Sequence, residues 1–408
     1  MPPDLSGSSA MYHLLSFFGI FVFVFLAWLI SEHRRRFPWR VVVWGIVIQV
    51  IFALFILRTA PGAWLFDLVN RVFSKMMQFT DAGSEFVFGG LLKEWSFALK
   101  ILPTIVFFSS LFTVLYHFGV LQKVVKGFAF LFRRLLGTSG AESLSAAANI
   151  FIGQTEAPLM IRPYVETMTR SELMCVMSGG MATIAGGVMA AYVGMGVSAG
   201  HLMAASVMSA PAAIMFAKIM VPETGTPVTA GGGTIEVPVV DRNAIEAAAR
   251  GASEGLFLAL NVAAMLLAFI AFVAMFNYFF GFFGVTMEQV LGWAMAPLAL
   301  CMGVPWDEAM RVGAFLGEKT ILNEFVAYAH LSDAIKAGAT ELSPRSVIIA
   351  TYALCGFANL GSIAIQIGGI GTMAPSRRGE IAALGIKSMI AGTLASFVTA
   401  NIAGMLIS

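Results

Sequence analysis

Long apolar runs divide this chain. Within the first, around 12–31, the sequence reads SFFGIFVFVFLAWLI without a charge. Comparable runs recur near 41–58, 97–117, 172–194, 199–220, 255–280, 345–371 and 382–407. Each meets the requirement of roughly 20 apolar residues for one helical crossing of a bilayer. The pattern therefore predicts an all-α polytopic membrane protein with eight transmembrane helices. Two stretches between the runs, 139–170 and 305–340, are semi-apolar, cut by Gly and Pro, and carry acids that a lipid-facing helix does not tolerate. Re-entrant hairpins meet that pattern, because non-helical backbone survives at membrane depth only inside protein or beside a watery cavity. Residues 60–95 and 119–136 mix aromatic and basic positions near turns and are expected to be interfacial helices. The Gly-, Thr- and Pro-rich stretch 222–240 is expected to be a cytoplasmic connector able to form a short β-ribbon.

Composition agrees: 58% of the 408 residues are hydrophobic and 12% are charged, against about 25% charged in soluble domains. Asp4 is the one charge before the first run, and Arg34, Arg35, Arg36 and Arg40 follow it. A retained first helix fits this better than a signal peptide, whose basic segment would come first. The positive-inside rule puts that arginine-rich connection in the cytoplasm and the N-terminus outside. Later basic residues keep the alternation, provided that the first hairpin enters from the cytoplasm and the second from outside; the C-terminus is then outside too. A net charge of +2 gives no reason to expect nucleic acid as a partner. Cys175, Cys301 and Cys355 lie in apolar stretches without CxxC spacing, and the five histidines form no HExxH pair. Free thiols, no catalytic metal and no enzymatic role are the expectations.

The two hairpins introduce related segments. Gln154-Thr155-Glu156 is followed by Arg170-Ser171 and Gly180-Met181-Ala182-Thr183-Ile184; Leu322-Asn323-Glu324 is followed by Arg345-Ser346 and Gly356-Phe357-Ala358-Asn359-Leu360. The two acids are 168 residues apart, the Arg-Ser pairs 175 and the glycines 176. A diverged duplication leaves such an offset. With opposite entry sides it reads as an inverted repeat, the architecture of secondary transporters with sites at the repeat interface. Breakers in mid-run, Ser178-Gly179-Gly180 with Thr183 and then Asn359, Gly361 and Ser362, mark candidate unwound points.

Gln154, Thr155 and Glu156 would diverge on a helix but can converge where the chain turns. The amide suits the edge of a nucleobase, since it both donates and accepts. Glu324 and Asn323 suit a polyhydroxylated partner such as ribose. Asn359 and Ser362, three apart, share a helix face, and Phe357 offers a plate on which a base can stack. Sequence alone does not group Asn149, Ile152 and Thr183, but together they would supply oxygen atoms of the kind a hard monovalent cation takes, where a transition metal would ask for His or Cys. A passive channel would instead want a ring of charge or carbonyls around an open pore.

The segments NIFIGQTEAPLMIRPY (149–164), RSELMCVMSGGMATIAGGV (170–188), ASVMSAPAA (205–213), NEFVAY (323–328) and GFANLGSIAIQIGGIGTMAPSRR (356–378) resemble those of the concentrative nucleoside transporters. The resemblance holds in order and spacing from about Asp81 onward, and the short N-terminal region is similar to that of bacterial members. It implies a homotrimer in the bacterial inner membrane, importing nucleosides such as uridine with sodium by an elevator motion and using no other cofactor. It implies that Gln154, Thr155 and Glu156, with Val188 packed nearby, bind the base, and that Glu324, Asn359 and Ser362 bind ribose with Phe357 beside the base. It places sodium on Asn149, Ile152, Thr183 and Ile184. Proton-coupled members have Ser beside the first-hairpin Glu, so Thr155 leans toward sodium. The implied division is a scaffold over 1–138, a first transport half over 139–220, connector and scaffold over 221–302, and a second transport half over 303–408.

Overall fold

The computed structural model describes residues 5–89, 91, 96–230, 241–338 and 342–407. All regular structure among them is helical. The first two runs form α1 (Leu5–Leu29) and α2 (Trp39–Arg58). Next comes α3 (Ala60–Phe88), one 29-residue helix capped by the Thr59 hydroxyl, which accepts from Gly62 N. α4 (Ser96–His117) and α5 (Val120–Leu136) are bent by 75° relative to each other. α5 is amphipathic, as its sequence predicts: Leu121, Val125, Phe132 and Leu136 are buried, whereas Val120, Val124 and Phe130 stay exposed. The ribbon expected within 222–240 falls mainly on 231–240, outside the described residues.

The hairpin segments fold as helix–turn–helix units. α6 (Gly140–Ala148) starts at a capping box in which Ser139 N donates to Glu142 Oε1 and Glu142 N donates to Ser139 Oγ. The chain turns over 149–156 and returns through a 3-10 turn into α7 (Arg162–Val165). α13 (Trp306–Ile321) and α14 (Glu324–Ala337) are separated by Leu322 and Asn323 alone, and the Asn323 side chain caps α14. Before them, α12 (Met287–Cys301) folds back on α13 with a 116° bend.

Two runs that looked like single spans are each two helices. The run at 172–194 becomes α8 (Arg170–Ala182) and α9 (Gly186–Gly194). The run at 345–371 becomes α15 (Pro344–Leu354) and α16 (Leu360–Met373). The helices stop at two of the predicted unwound points, Thr183 and Asn359, whereas Ser178, Gly179 and Gly180 lie within α8 and Gly361 and Ser362 within α16. α10 (Ala199–Met220), α11 (Ala244–Gly281) and α17 (Arg378–Leu406) are unbroken. Among the described residues, six helices (the α8–α9 run counted as one) are long and apolar enough to cross a membrane, or up to eight if each bent pair is one span.

Packing separates a polar-seamed body from an outer pair. α10 is almost entirely buried among α2, α8 and α17, and α1 lies along α17. α11, 38 residues and so roughly 57 Å long, packs chiefly on α4 and leaves Leu256, Phe257, Leu260, Leu267 and Phe279 exposed. Such a continuous apolar surface suits lipid or another subunit. At one end of the body, Glu32 lies 3.0 Å from Arg170 and 2.6 Å from Lys387. Hydrogen bonding from Arg170, the largest influence, pulls its carboxyl down to about 2.

The two breaks cross. Phe357 N donates to Thr183 O at 3.3 Å. Gly356 has φ +143° beside the end of α8, and a Cβ there would sit 2.7 Å from Met181 O. Gly356→Ala is therefore expected to cost at least about 2 kcal/mol, seen as a melting temperature several degrees lower in detergent. Gly368→Ala, in open space on the exposed face of α16, should gain about 0.5–1 kcal/mol.

Candidate functional site

A cavity of about 530 Å³ lies where the hairpin tips and both breaks face α4 and α11. Its walls include Gln154, Thr155, Glu156, Val188, Glu324, Phe357, Asn359 and Ser362, the complete set expected to meet the substrate. They come from four separate segments, the first tip, α9, the start of α14 and the second break with α16, so only the tertiary fold brings them together. α4 contributes Ser109, Phe112, Thr113 and Tyr116, while α11 contributes Arg250, Glu254, Leu258 and Val262.

Glu324 is the buried acid of the cavity, 6% exposed. It opens α14, where the helix N-terminus favours a carboxylate. Tyr192 OH donates to its Oε1 at 3.0 Å, and Asn359 Nδ2 donates to its Oε2 at 2.9 Å. Asn359 is set for this by its own cap, since its Oδ1 accepts from Ser362 N at 2.8 Å. One amide thus starts α16 and orients the acid. Lys319, five residues before Glu324, donates to Ala353 O. Asn323, expected to face a ligand beside Glu324, spends its amide oxygen on the cap of α14.

The first hairpin tip contributes differently. Gln154 is buried, and its Nε2 donates to Ser362 Oγ at 3.1 Å. Gln366 Nε2 donates both to Gln154 Oε1 at 3.2 Å and to Met177 O at 2.9 Å. Thr155 Oγ1 donates to Glu156 Oε1 at 2.9 Å, and Glu156 stays exposed along the cavity wall. Phe357 and Val188 add apolar surface. The arrangement offers an acid with fixed donors, a second acid, an amide and an aromatic ring along one cavity.

Asn149, Thr183 and Ile184 lie deeper, each 2% exposed or less, while Ile152 reaches the cavity. Asn149 Nδ2 donates to Ser145 O, but Asn149 Oδ1 is buried with no hydrogen-bond partner among the described residues. The Asn149 amide faces Gly179, whose carbonyl accepts from Thr183 Oγ1 at 3.0 Å. Asn149 and Thr183 therefore flank the last turn of α8. A buried amide oxygen without a donor costs about 1–3 kcal/mol, and this oxygen-only set fits a hard cation.

Sequence reasoning missed Tyr192 and Gln366. Gln366 could have been found: Asn359, Ser362 and Gln366 recur at i, i+3 and i+7, one face of α16. Tyr192 carries no local signal, because its partner is 132 residues away.

Comparison with known proteins is consistent along the chain. A family model described as Na+ dependent nucleoside transporter C-terminus matches residues 201–404, its N-terminal counterpart matches 18–91, and a nucleoside recognition (Gate) model matches 98–199. Rat solute carrier family 28 member 3 is 44% identical over 96% of this chain, which spans 58% of that protein's length. Mouse sodium/nucleoside cotransporter 1 is 42% identical over 96% of the chain and 64% of its own length. An uncharacterized transporter of Haemophilus influenzae is 45% identical over 97% of this chain and 98% of its own. The solved structure of CNTnw in an inward-facing substrate-bound state has a TM-score of 0.90 at 43% identity, covering 98% of both chains. A CNTnw variant in an outward-facing state has a TM-score of 0.93 at 43% identity, covering 97% of this chain and 99% of the other.

Gln366→Leu strands Met177 O and one acceptor of Gln154. It is expected to cost about 1–3 kcal/mol, read as a lower melting temperature in detergent, while Gln366→Glu, which keeps the length, should lose less if protonated.

Proposed function

The chain belongs to the Na+-dependent nucleoside transporter family, the concentrative nucleoside transporters, and on that premise we propose that it imports nucleosides in symport with sodium by an elevator motion. The observation that carries this reading is the convergence of eight residues from both hairpins and both breaks on one cavity. In the proposed complex Gln154, Thr155 and Glu156 read the base, which packs on Phe357 and Val188. Glu324, Asn359 and Ser362 take the ribose hydroxyls. Vicinal hydroxyls donate well to a fixed carboxylate, and charge-assisted hydrogen bonds are about twice as strong as neutral ones.

Sodium is the proposed coupling ion, held by Asn149, Thr183 and the backbone at Ile152 and Ile184. The unpaired Asn149 Oδ1 supports it over a proton. Ile152 borders both sites, so each ligand orders a hairpin tip that the other needs, and their affinities rise together. The proposed moving unit consists of 139–220 and 303–408, with α1 and α2 carried along on α17 and α10. α4 and α11 form the frame, a smaller scaffold than the one expected over 1–138 and 221–302, which included α1 and α2. Gly186 and Gly187 of α9 meet Phe112 and Ser109 of α4 closely, a smooth face suited to sliding. The exposed apolar face of α11 suits the proposed trimer contact.

The first membrane connection is placed in the cytoplasm by its arginines, with both termini outside and the hairpins re-entrant. The cavity reaches Arg250 and Glu254 near the start of α11, which that orientation puts at the cytoplasmic side. This conformation is therefore proposed to be open inward.

Proteoliposomes given an inward sodium gradient should accumulate radiolabelled uridine. Equal accumulation under a proton gradient without sodium would sink the coupling. Glu324→Gln should lower uptake by about ten- to a hundredfold, the equivalent of about 1.5–3 kcal/mol for hydrogen bonds to a charge, with the protein still folded. Asn149→Ala should abolish the rise in melting temperature that sodium produces in the unmodified protein.

A further inference from the structure

Corresponding helices of the two repeats end in different chemistry. α6, α8 and α10 of the first repeat match α13, α15 and α17 of the second in order and in packing. Ser206 and Ser209 of α10 correspond to Ser396 and Thr399 of α17, both pairs 190 residues apart, and Ser209 meets Thr399 at 3.5 Å. Each serine tends a break or a tip: Ser206 Oγ donates to Ile150 O, and Ser396 Oγ donates to Cys355 O at 2.7 Å.

In each repeat a half-helix ends inside the protein: Met181 O and Ala182 O of α8 lie close to Gly356, and Ala353 O of α15 meets the second hairpin. Such an end carries a partial negative charge and attracts a cation. In the first repeat the oxygens gathered there are underused. Asn149 Oδ1, Ser145 Oγ and Ser178 Oγ are all buried without a hydrogen-bond partner among the described residues. In the second repeat a lysine reaches the end of the corresponding half-helix, α15. Lys319, in the last turn of α13, is 0% exposed. Its Nζ donates to Ala353 O at 2.8 Å and to Ser396 Oγ at 3.4 Å. Tyr328 OH donates to Thr351 O in the same turn of α15.

Lys319 forms no ion pair with a carboxylate among the described residues; Glu324 is held by Tyr192 and Asn359 instead. An unpaired buried ammonium ordinarily costs several kcal/mol. Here the end of α15 and two oxygens stand where a counter-ion would.

We propose that the Lys319 ammonium is a tethered cation that holds, in the second repeat, the place a mobile sodium takes in the first. The inference rests on the sodium reading above. It explains why unpartnered oxygens surround Asn149 in the first repeat while the end of α15 in the second is bonded by a buried lysine. It also makes the second hairpin permanently loaded, while the first is ordered only when the ion arrives.

The experiment compares Lys319→Arg, Lys319→Met and Lys319→Asn with the unmodified chain, reading melting temperature and uridine uptake across a sodium series. Lys319→Arg keeps the charge and should retain both. Lys319→Met, which fills the space without charge, should be destabilised at every sodium concentration. Lys319→Asn supplies an oxygen in place of the ammonium. It should be unstable at low sodium and recover at high sodium, with a steeper dependence than the unmodified chain and a Hill coefficient rising toward two. Three results overturn the proposal: Lys319→Met behaving as the unmodified chain, Lys319→Asn with an unchanged sodium curve, or Lys319→Asn unrecovered at any sodium concentration while Lys319→Arg folds. An unmodified chain that does not respond to sodium in either readout defeats the coupling reading itself, so the two failures are distinguishable.

Discussion

Half-helices α8, α9, α15 and α16 end where the two breaks cross, and backbone groups at such ends have no water to fall back on at membrane depth. Some of their partners come from the same repeat, as Ala353 O and Cys355 O show, and two come from the opposite one. Phe357 N is satisfied by Thr183 O, and Met177 O by the side chain of Gln366. Gly356 is the residue that lets the chains approach, since a Cβ would collide with α8. The cavity, the buried acid and the oxygen cluster near α8 all depend on this crossing, because each is built from groups that an unbroken helix would have consumed.

The same economy governs the side chains. Asn359 caps a helix with its oxygen and orients Glu324 with its nitrogen. Asn323 caps α14 and so places Glu324 at a helix start, where a carboxylate is favoured. Structural and binding roles are thus carried by single residues. A substitution at Asn359 alters both the start of α16 and the acid beside it, and kinetic effects there need a stability measurement beside them.

The cavity is bordered on one side by the hairpin body and on the other by α4 and α11. The body is held together by buried polar contacts between repeats, whereas small residues and smooth apolar surface dominate where α9 meets α4. The repeats are alike in backbone yet different in charge, with Asn149 and unpartnered hydroxyls in one and Lys319 in the other.

Much of this was legible beforehand. Apolar runs gave the spans, since lipid demands about 20 apolar residues per crossing. Acids and glycines in semi-apolar stretches gave the hairpins, and the offset between Glu156 and Glu324 gave the repeat. Residue chemistry singled out seven of the expected cavity residues, and motif resemblance supplied the family and Val188. Sequence periodicity did not show that 172–194 and 345–371 are each two helices; the breakers marked the points, but only contact between the breaks stabilises them. Nor could it pair Tyr192 with Glu324 or send Lys319 to Ala353, partners 132 and 34 residues apart. Hydrophobicity and helix propensity are local and are written residue by residue. Which polar group satisfies a buried end depends on what the fold brings near it, and that is decided only in three dimensions.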